Sequence, residues 1–179
     1  MTKNTLYQVA KLGKPHSLRG FQYINIDNFF RRFDLSNISM QVGNEELIVE
    51  NFKTHLKDRN LIKFKDFDTI ESIERLRDKV VSISDKYKND FLNDSKLPWP
   101  GFFINKNLGK SDLVLLGFNF SQNFTFCEVS NLTDFPIPYN DKFFSYQNDE
   151  LVLINDNLTI NQSKIKLLYV SSIIFSGCH

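Results

Sequence analysis

The sequence predicts a mainly β protein built from two small domains. Short segments in which apolar and polar residues alternate follow one another along most of the 179 residues, and polar or Gly-containing breaks separate them. A charged, Asn-rich stretch near the middle ends in Pro98-Trp99-Pro100, a composition typical of a linker. Many short strands in series favour a small barrel or sandwich.

Alternation places five strands in the first part of the chain. They are predicted at residues 7–12, 21–26, 38–42, 46–51 and 60–64. Residues 21–26 read FQYINI, and such aromatic and β-branched residues suit a half-buried strand. A sixth strand is predicted at residues 79–84, directly after the helix.

One short helix interrupts these strands. Asp68 and Glu71 have the spacing of a capping box, which predicts where the helix begins. Glu71 and Arg75 are spaced i,i+4 on its outer side, where they can form an ion pair. Its apolar face consists of Ile70, Ile73 and Leu76.

The second half continues with strands predicted at residues 113–118, 124–129 and 151–154. Residues 165–170 and 173–175 add either one more strand or a docking tail. We therefore expect one domain at residues 1–90, a linker at 91–100, a second domain at 101–160 and a C-terminal tail at 161–179.

Charge limits the kind of nucleic-acid binding that is possible. The net charge of +1 excludes a globally polycationic protein, so any RNA site must be local. Residues 1–90 carry 16 Lys and Arg against 13 Asp and Glu, whereas residues 91–179 carry 6 against 8. The basic surplus at the front indicates either such a local site or an ordinary solvated face.

The chain shows no apolar signal region and no stretch long enough for a membrane helix, which predicts a cytoplasmic protein without a membrane partner. Cys127 and Cys178 are expected to be reduced thiols. Cys178 and His179 would need two more ligands to hold a metal. No metal site and no cofactor is predicted.

Residues 13–20, with the sequence GKPHSLRG, form the most unusual string in the chain. Two glycines and a proline predict a rigid, shaped loop between the first two strands. Lys14 and Arg19 are suited to phosphate oxygens, and Leu18 is expected to plug the mouth of the barrel beneath them. The order of a phosphate-binding P-loop is absent.

Several residues allow two interpretations. His16 as a general base lacks a legible nucleophile and orienting partner, so a loop-shaping or RNA-contacting histidine is favoured. Arg31 and Arg32 are either RNA contacts or solvated strand-end charges. Phe102 and Phe103 are either core residues or a partner surface. No G-x-S-x-G string and no paired carboxylates indicate an enzyme.

Residues 9–20, VAKLGKPHSLRG, resemble the N-terminal signature of the ribosome maturation factor RimM family, G-x-x-x-x-x-H-G-L-R-G-x-V. Residues 27–35, 64–76 and 80–83 are similar to later segments of that family in the same order. Ser17 stands where the family usually has Gly, which would strain the loop if that position needs a positive φ.

The second half resembles the same family in Leu97-Pro98, the pair Phe102-Phe103 and Leu108-Gly109. Residues 136–144 and 151–154 are similar to its closing strands. The aromatic pair of the family usually includes Tyr, and the stretch between Gly109 and Pro136 is shorter here.

The resemblance implies an N-terminal six-stranded translation-factor-like barrel with one short helix, followed by a PRC-type barrel, here shortened. It implies a non-catalytic factor that binds the free 30S subunit, contacts 16S rRNA and an S-nineteen type head protein as a monomer, and assists maturation of the head. The RNA-contacting residues implied are Lys14, His16, Leu18, Arg19, Gly20, Arg31 and Arg32. The protein-contacting residues implied are Phe102, Phe103, Pro138 and Tyr139.

Two other functions stay open from the residues alone. Near-neutral charge and the shortened second half also fit a protein-binding barrel adaptor that no longer contacts RNA. A small barrel enzyme that binds a flavin or nucleotide rests only on analogy with other six-stranded barrels.

Overall fold

The computed structural model describes residues 4–56, 59–109, 112–120, 124–130 and 137–155. The chain divides into two compact units, Met1–Tyr87 and Lys88–His179. Residues 91–100, expected as a linker, lie in the second unit, where Phe91, Leu97 and Trp99 are buried. Their apolar area favours burial over exposure in a solvated connection.

The first unit is a closed six-stranded barrel, which confirms the predicted mainly β fold class. The strands are β1 Leu6–Pro15, β2 Gln22–Ile26, β3 Ser39–Val42, β4 Glu45–His55, β5 Arg59–Phe64 and β6 Val80–Ser84. Their order around the barrel is β1-β2-β5-β4-β3-β6, and β6 pairs with β1 to close it.

Inward-facing residues of these strands fill the barrel, as the period of two predicts. Leu12, Ile24, Met40, Val49 and Ile62 are each at most 4% exposed. A 3-10 helix, Asn28–Arg32, follows β2, and the Asp27 side chain accepts a hydrogen bond from the Phe29 N–H at 2.9 Å. This cap turns the chain so that Phe29 and Phe30 are buried.

The predicted helix is present as α1, Ile70–Glu74, but its cap differs from the prediction. Thr69 is the N-cap and forms a capping box with Ser72, whereas Asp68 and Glu71 were expected. Hydroxyl and carboxylate side chains both cap helices well, so adjacent Asp and Thr leave the start ambiguous by one residue. Arg75 donates to both carboxylate oxygens of Glu45, at 2.8 and 2.9 Å, in place of the expected pair with Glu71.

The second unit contains two small sheets. Strands β7 Leu115–Phe120, β8 Thr125–Val129 and β9 Ile137–Pro138 form one, and the hairpin of β10 Phe144–Gln147 and β11 Glu150–Leu153 forms the other. The 3-10 helices Asp85–Phe91 and Pro100–Phe103 precede them. Among the residues described in this unit the strands form no closed barrel, so the PRC-type barrel stays a prediction. Residues 161–179 lie outside the described ranges.

The described residues include no helix that is long and apolar enough to cross a membrane. The same residues bring together no group of three or more His, Cys, Asp or Glu side chains suited to a metal ion. Cys127 is buried, and burial raises the pKa of its thiol.

Candidate nucleic-acid interface

The loop between β1 and β2 is shaped by its own hydrogen bonds. The His16 N–H donates to the Phe21 carbonyl at 2.8 Å, and the Arg19 N–H donates to the Ser17 hydroxyl at 3.3 Å. Gly20 has φ +76°, and a Cβ at that position would lie 1.7 Å from the Phe67 carbonyl oxygen. Ser17 is not among the residues of positive φ, so the departure from glycine there carries no backbone strain.

Leu18 does not plug the barrel, contrary to the expectation from sequence. Its side chain is 80% exposed. A polar contact links β1 and β2 at this end instead, since the buried Gln22 side-chain amide donates to the Gly13 carbonyl at 2.6 Å.

Next to the loop, three rings form a cluster on the outer surface of the barrel. The His16 ring lies 4.9 Å from the Tyr23 ring and 4.6 Å from the His55 ring, both edge to face. The Arg59 guanidinium lies over the Tyr23 ring at 5.5 Å, and the Lys53 ammonium over the Phe21 ring at 4.1 Å. Cation–π contacts of this kind hold flexible cationic side chains over a surface.

A pocket of about 540 Å³ opens beside this cluster, against β1, β2 and β5. Strand register assembles it, because Lys11 in β1 lies opposite Asn25 in β2, and Ile24 lies opposite Asn60 in β5. The residues that line it include four cations and three uncharged polar residues. They are Lys11, Lys14, Arg31, Arg59, Tyr23, Asn25 and Asn60.

The positive charge of this pocket is poorly neutralised. Lys11 pairs with Asp78 at 3.5 Å, and both side chains are more than half exposed. No carboxylate of the described residues lies within ion-pair distance of Lys14, Arg31 or Arg59. Such an arrangement attracts anions, and phosphate oxygens match both the lysine point charge and the arginine fork.

Asn60 is a buried polar residue of β5 that pairs with Ile24 of β2. It is 1% exposed, and within the described part of the chain neither its amide nitrogen nor its amide oxygen has a hydrogen-bond partner. Buried polar groups are nearly always hydrogen-bonded. The Asn60 amide is an exception inside the barrel, because it lies opposite Ile24 and shares the inward face of the sheet.

His16 is tuned by the same surroundings. Burial lowers its pKa below the usual value of 6.5, and the neighbouring His55 and Lys53 charges lower it further. The ring is therefore neutral at pH 7, and a bound anion would favour its protonated form.

The structure joins only some of the residues predicted to contact RNA. Lys14 and Arg31 line the pocket, and His16 contacts its Tyr23 wall. The other predicted residues, Leu18, Arg19, Gly20 and Arg32, are not among the lining side chains. Arg32 instead packs its guanidinium 5.2 Å from the Phe29 ring.

Sequence reasoning missed five of the charged and polar residues that line the pocket. They are Lys11, Tyr23, Asn25, Arg59 and Asn60. Alternation in β2 did indicate that Tyr23 and Asn25 share its outward face. Nothing local indicates that Lys11 and Arg59 lie on either side of them, because that depends on pairing between strands distant in sequence.

The four residues expected to contact a ribosomal protein lie in the core of the second unit. Phe102 and Phe103 are 0% and 3% exposed, and Pro138 and Tyr139 are also buried. Phe102 packs against the Trp99 ring at 5.3 Å, and the Tyr139 hydroxyl donates to the Pro98 carbonyl. Burial raises the pKa of Tyr139. The structure therefore shows these four as core residues, because their apolar area is already covered within the chain.

The match to a family model agrees with the resemblance seen in the sequence. Residues 7–87 match the family model of the RimM N-terminal domain. A solution structure of the RimM N-terminal domain from Thermus thermophilus is 14% identical, with a TM-score of 0.38, over 43% of this chain and 86% of that one. A crystal structure of a 16S ribosomal RNA processing protein RimM from Pseudomonas aeruginosa is 14% identical, with a TM-score of 0.36, over 83% and 96%. No curated protein sequence matches the chain.

Proposed function

Because residues 7–87 belong to the RimM N-terminal domain family, we propose that this chain takes part in maturation of the small ribosomal subunit and in 16S rRNA processing. It binds the free 30S subunit in the cytoplasm as a monomer and acts by binding, without catalysis. Its first unit contacts rRNA, and its second unit contacts an S-nineteen type head protein.

The cationic pocket of the barrel carries this proposal. Lys11, Lys14, Arg31 and Arg59 converge on one outer face, and among the described residues only Asp78 lies within ion-pair distance of any of them. Phosphate contacts from Lys and Arg supply most of the affinity of proteins for nucleic acids. A chain with a net charge of +1 that concentrates four cations at one pocket has a local anion site instead of a general one.

The second unit is proposed to contact a protein through outer residues that its buried core holds in position. Phe102, Phe103, Pro138 and Tyr139 are buried, so they act by holding the outer residues in place. Truncating any of them would weaken the protein contact only by destabilising the unit.

Co-sedimentation with immature 30S subunits at low salt tests the function. We expect the full chain to travel with the subunits and to be released as salt rises, because each phosphate contact frees counterions. A protein that stays at the top of the gradient with immature subunits at low salt contradicts the proposal.

Replacing Lys14 and Arg19 by Ala separates RNA binding from an adaptor that contacts only protein. Both side chains are exposed, so the fold should stay intact, which circular dichroism verifies. We expect weaker subunit binding and a smaller dependence on salt, by roughly one phosphate contact, because Lys14 lines the pocket and Arg19 does not. Unchanged binding by the folded double variant would favour the adaptor.

A matched pair of variants then locates the contact. Lys14→Ala with Arg31→Ala removes two cations from the pocket, whereas Arg19→Ala with Arg32→Ala removes two that do not line it. The pocket pair should cause the larger loss of subunit binding. Equal losses would mean that the whole basic front, and not the pocket, binds the subunit.

A further inference from the structure

We propose that the outer face of β1, β2, β5 and β4 binds the backbone of a double-helical RNA segment, in a contact that extends beyond the pocket onto Lys53 of β4. This inference rests on the RNA-binding function proposed above and names the form of RNA that the barrel takes. It also adds a strand, because no residue of β4 lines the pocket.

A row of polar side chains crosses these four strands on the outer face. Lys11 of β1 lies opposite Asn25 of β2, and Arg59 of β5 lies opposite His55 of β4. The pairing of β2 with β5 places Asn25 and Arg59 beside each other as well. Neighbouring strands are about 4.8 Å apart, so the row extends roughly 14 Å along the sheet. It is therefore wide enough to meet more than one phosphate.

The positive charge of this face is not neutralised by the described residues. Lys53 lies two residues before His55 in β4 and therefore points to the same side of the sheet. No described carboxylate lies within ion-pair distance of Lys53 or Arg59. Further along β5, Lys63 is by contrast held by two carboxylates, at 2.8 and 2.7 Å. The free charge thus lies around the row, where a polyanion would bind.

The aromatic rings of this face already carry cations. Arg59 lies over the Tyr23 ring at 5.5 Å, and Lys53 lies over the Phe21 ring at 4.1 Å. The His16 ring also contacts Tyr23, with 4.9 Å between centroids. Proteins that bind single strands stack successive bases on aromatic side chains. A base stacked here would have to displace a cation, so the face favours phosphates over bases.

A double helix matches these features better than a single strand does. Its bases are paired, so a protein meets phosphates and 2′-hydroxyls across a wide, shallow minor groove. The outer face of a closed barrel is convex, and a convex face can enter such a groove. Asn25 lies between Lys11 and Arg59, and its amide can both donate to and accept from a 2′-hydroxyl.

Fluorescence anisotropy with the full chain tests the partner. The labelled probes are an RNA duplex, one of its strands alone, and a DNA duplex of the same sequence. We expect the RNA duplex to bind at least about tenfold more tightly than the single strand at equal salt, the gain from one further charged hydrogen bond. Equal or tighter binding of the single strand would overturn the proposal.

The DNA duplex tests the ribose contact separately. It lacks the 2′-hydroxyl, which is the group that lets a protein distinguish RNA from DNA. We expect it to bind more weakly than the RNA duplex, and Asn25→Ala should reduce that difference. Equal binding of the two duplexes by the wild type would overturn the contact assigned to Asn25.

Lys53→Gln and Lys65→Gln form a matched pair that tests the extension onto β4. Each removes one positive charge, but Lys65 lies beyond the end of β5 and donates to the Asn37 side chain at 3.0 Å. Lys53→Gln should weaken duplex binding by about tenfold and lower the slope of log affinity against log salt by about 0.9. Lys65→Gln should cause a much smaller loss. Equal losses would mean that only overall charge matters and would overturn the extension.

A purely structural role of Lys53 would give a different result. Its ammonium lies over the Phe21 ring, so Lys53→Gln also removes a contact within the barrel. Lys53→Arg keeps both the charge and the cation–π contact, and it should bind the duplex with nearly the salt slope of the wild type. A Lys53→Gln variant that melts lower but keeps the wild-type salt slope would overturn the phosphate contact.

The proposed function and this inference fail in different ways. If Lys14→Ala with Arg31→Ala weakens subunit binding but Lys53→Gln does not, this inference is refuted and the proposed function stands. If the RNA duplex binds through Lys53 but the chain does not co-sediment with immature subunits, the ribosomal role is refuted and the duplex-binding face stands.

Discussion

Replacing Gly20 by Ala should destabilise the N-terminal barrel more than any other single methyl group added to its loops. Gly20 has φ +76°, and an ideal Cβ there lies 1.7 Å from the Phe67 carbonyl oxygen and 2.8 Å from its carbon. The neighbour is backbone, so it cannot rotate away as a side chain would. Relief requires moving either the loop between β1 and β2 or the turn before α1.

The magnitude follows from two separable costs. An L-residue in the left-handed region costs about 1–2 kcal/mol. Moving the Phe67 carbonyl to an ordinary contact distance requires a displacement well over 1 Å, and overpacking of this kind adds about 1–3 kcal/mol. The sum of roughly 2–5 kcal/mol corresponds to a fall in melting temperature of about 10–30 °C for a domain of this size.

Gly43→Ala is the control that isolates the first cost. Gly43 also has a positive φ, +58°, but its added Cβ would meet only the Lys79 side chain, at 3.2 Å. We therefore expect Gly43→Ala to cost about 1–2 kcal/mol and Gly20→Ala to cost clearly more.

The assay must report on the barrel itself. Trp99 is the only tryptophan and lies in the second unit, so its fluorescence does not follow the barrel. Urea unfolding followed by hydrogen exchange of the amides of β1 and β2 does. If Gly20→Ala proves no more destabilising than Gly43→Ala, the close approach between Gly20 and Phe67 is wrong.

Three further predictions concern titration and the second unit. Burial and the His55 charge hold the pKa of His16 below 6.5, and a bound phosphate raises that pKa. RNA affinity measured by anisotropy should therefore increase as the pH falls from the pKa of the bound form to that of the free form, and stay constant at higher pH. His16→Gln should abolish this dependence on pH. Phe102→Ala should lower the free energy of unfolding of the second unit by about 3–5 kcal/mol and shift the unfolding transition seen by Trp99 fluorescence, with hydrogen exchange in the barrel unchanged. A loss below about 1 kcal/mol would contradict the packing of Phe102 against the Trp99 ring at 5.3 Å. Cys127, buried with a raised thiol pKa, should resist alkylation, as peptide mass spectrometry detects, until denaturant unfolds the second unit; labelling of the native protein would contradict its burial.

The sequence by itself determined which segments of the first unit form strands. Alternation is a local property, so residues 21–26 and 60–64 predict strands that the structure places at Gln22–Ile26 and Arg59–Phe64. The glycines and proline of residues 13–20 likewise predict a shaped loop, and Gly20 indeed has a positive φ. The family resemblance over the first half is confirmed by the match of residues 7–87 to the RimM N-terminal domain.

For the helix cap and the buried aromatic residues, the sequence left two alternatives that only the structure distinguishes. Asp68 and Thr69 are both good caps, and only packing decided for Thr69. Phe102 and Phe103 suit a core and a partner surface equally well, because both bury apolar area. The structure covers them within the second unit.

The pocket itself was decided by tertiary structure alone. Lys11, Tyr23 and Arg59 meet because β2 pairs with β1 on one side and with β5 on the other. The register between strands depends on how the barrel closes around its whole core. No local pattern therefore shows which charged residues of neighbouring strands will lie beside one another. Sequence therefore indicated a basic front with a shaped loop, and only the folded barrel shows that the cations surround a cavity.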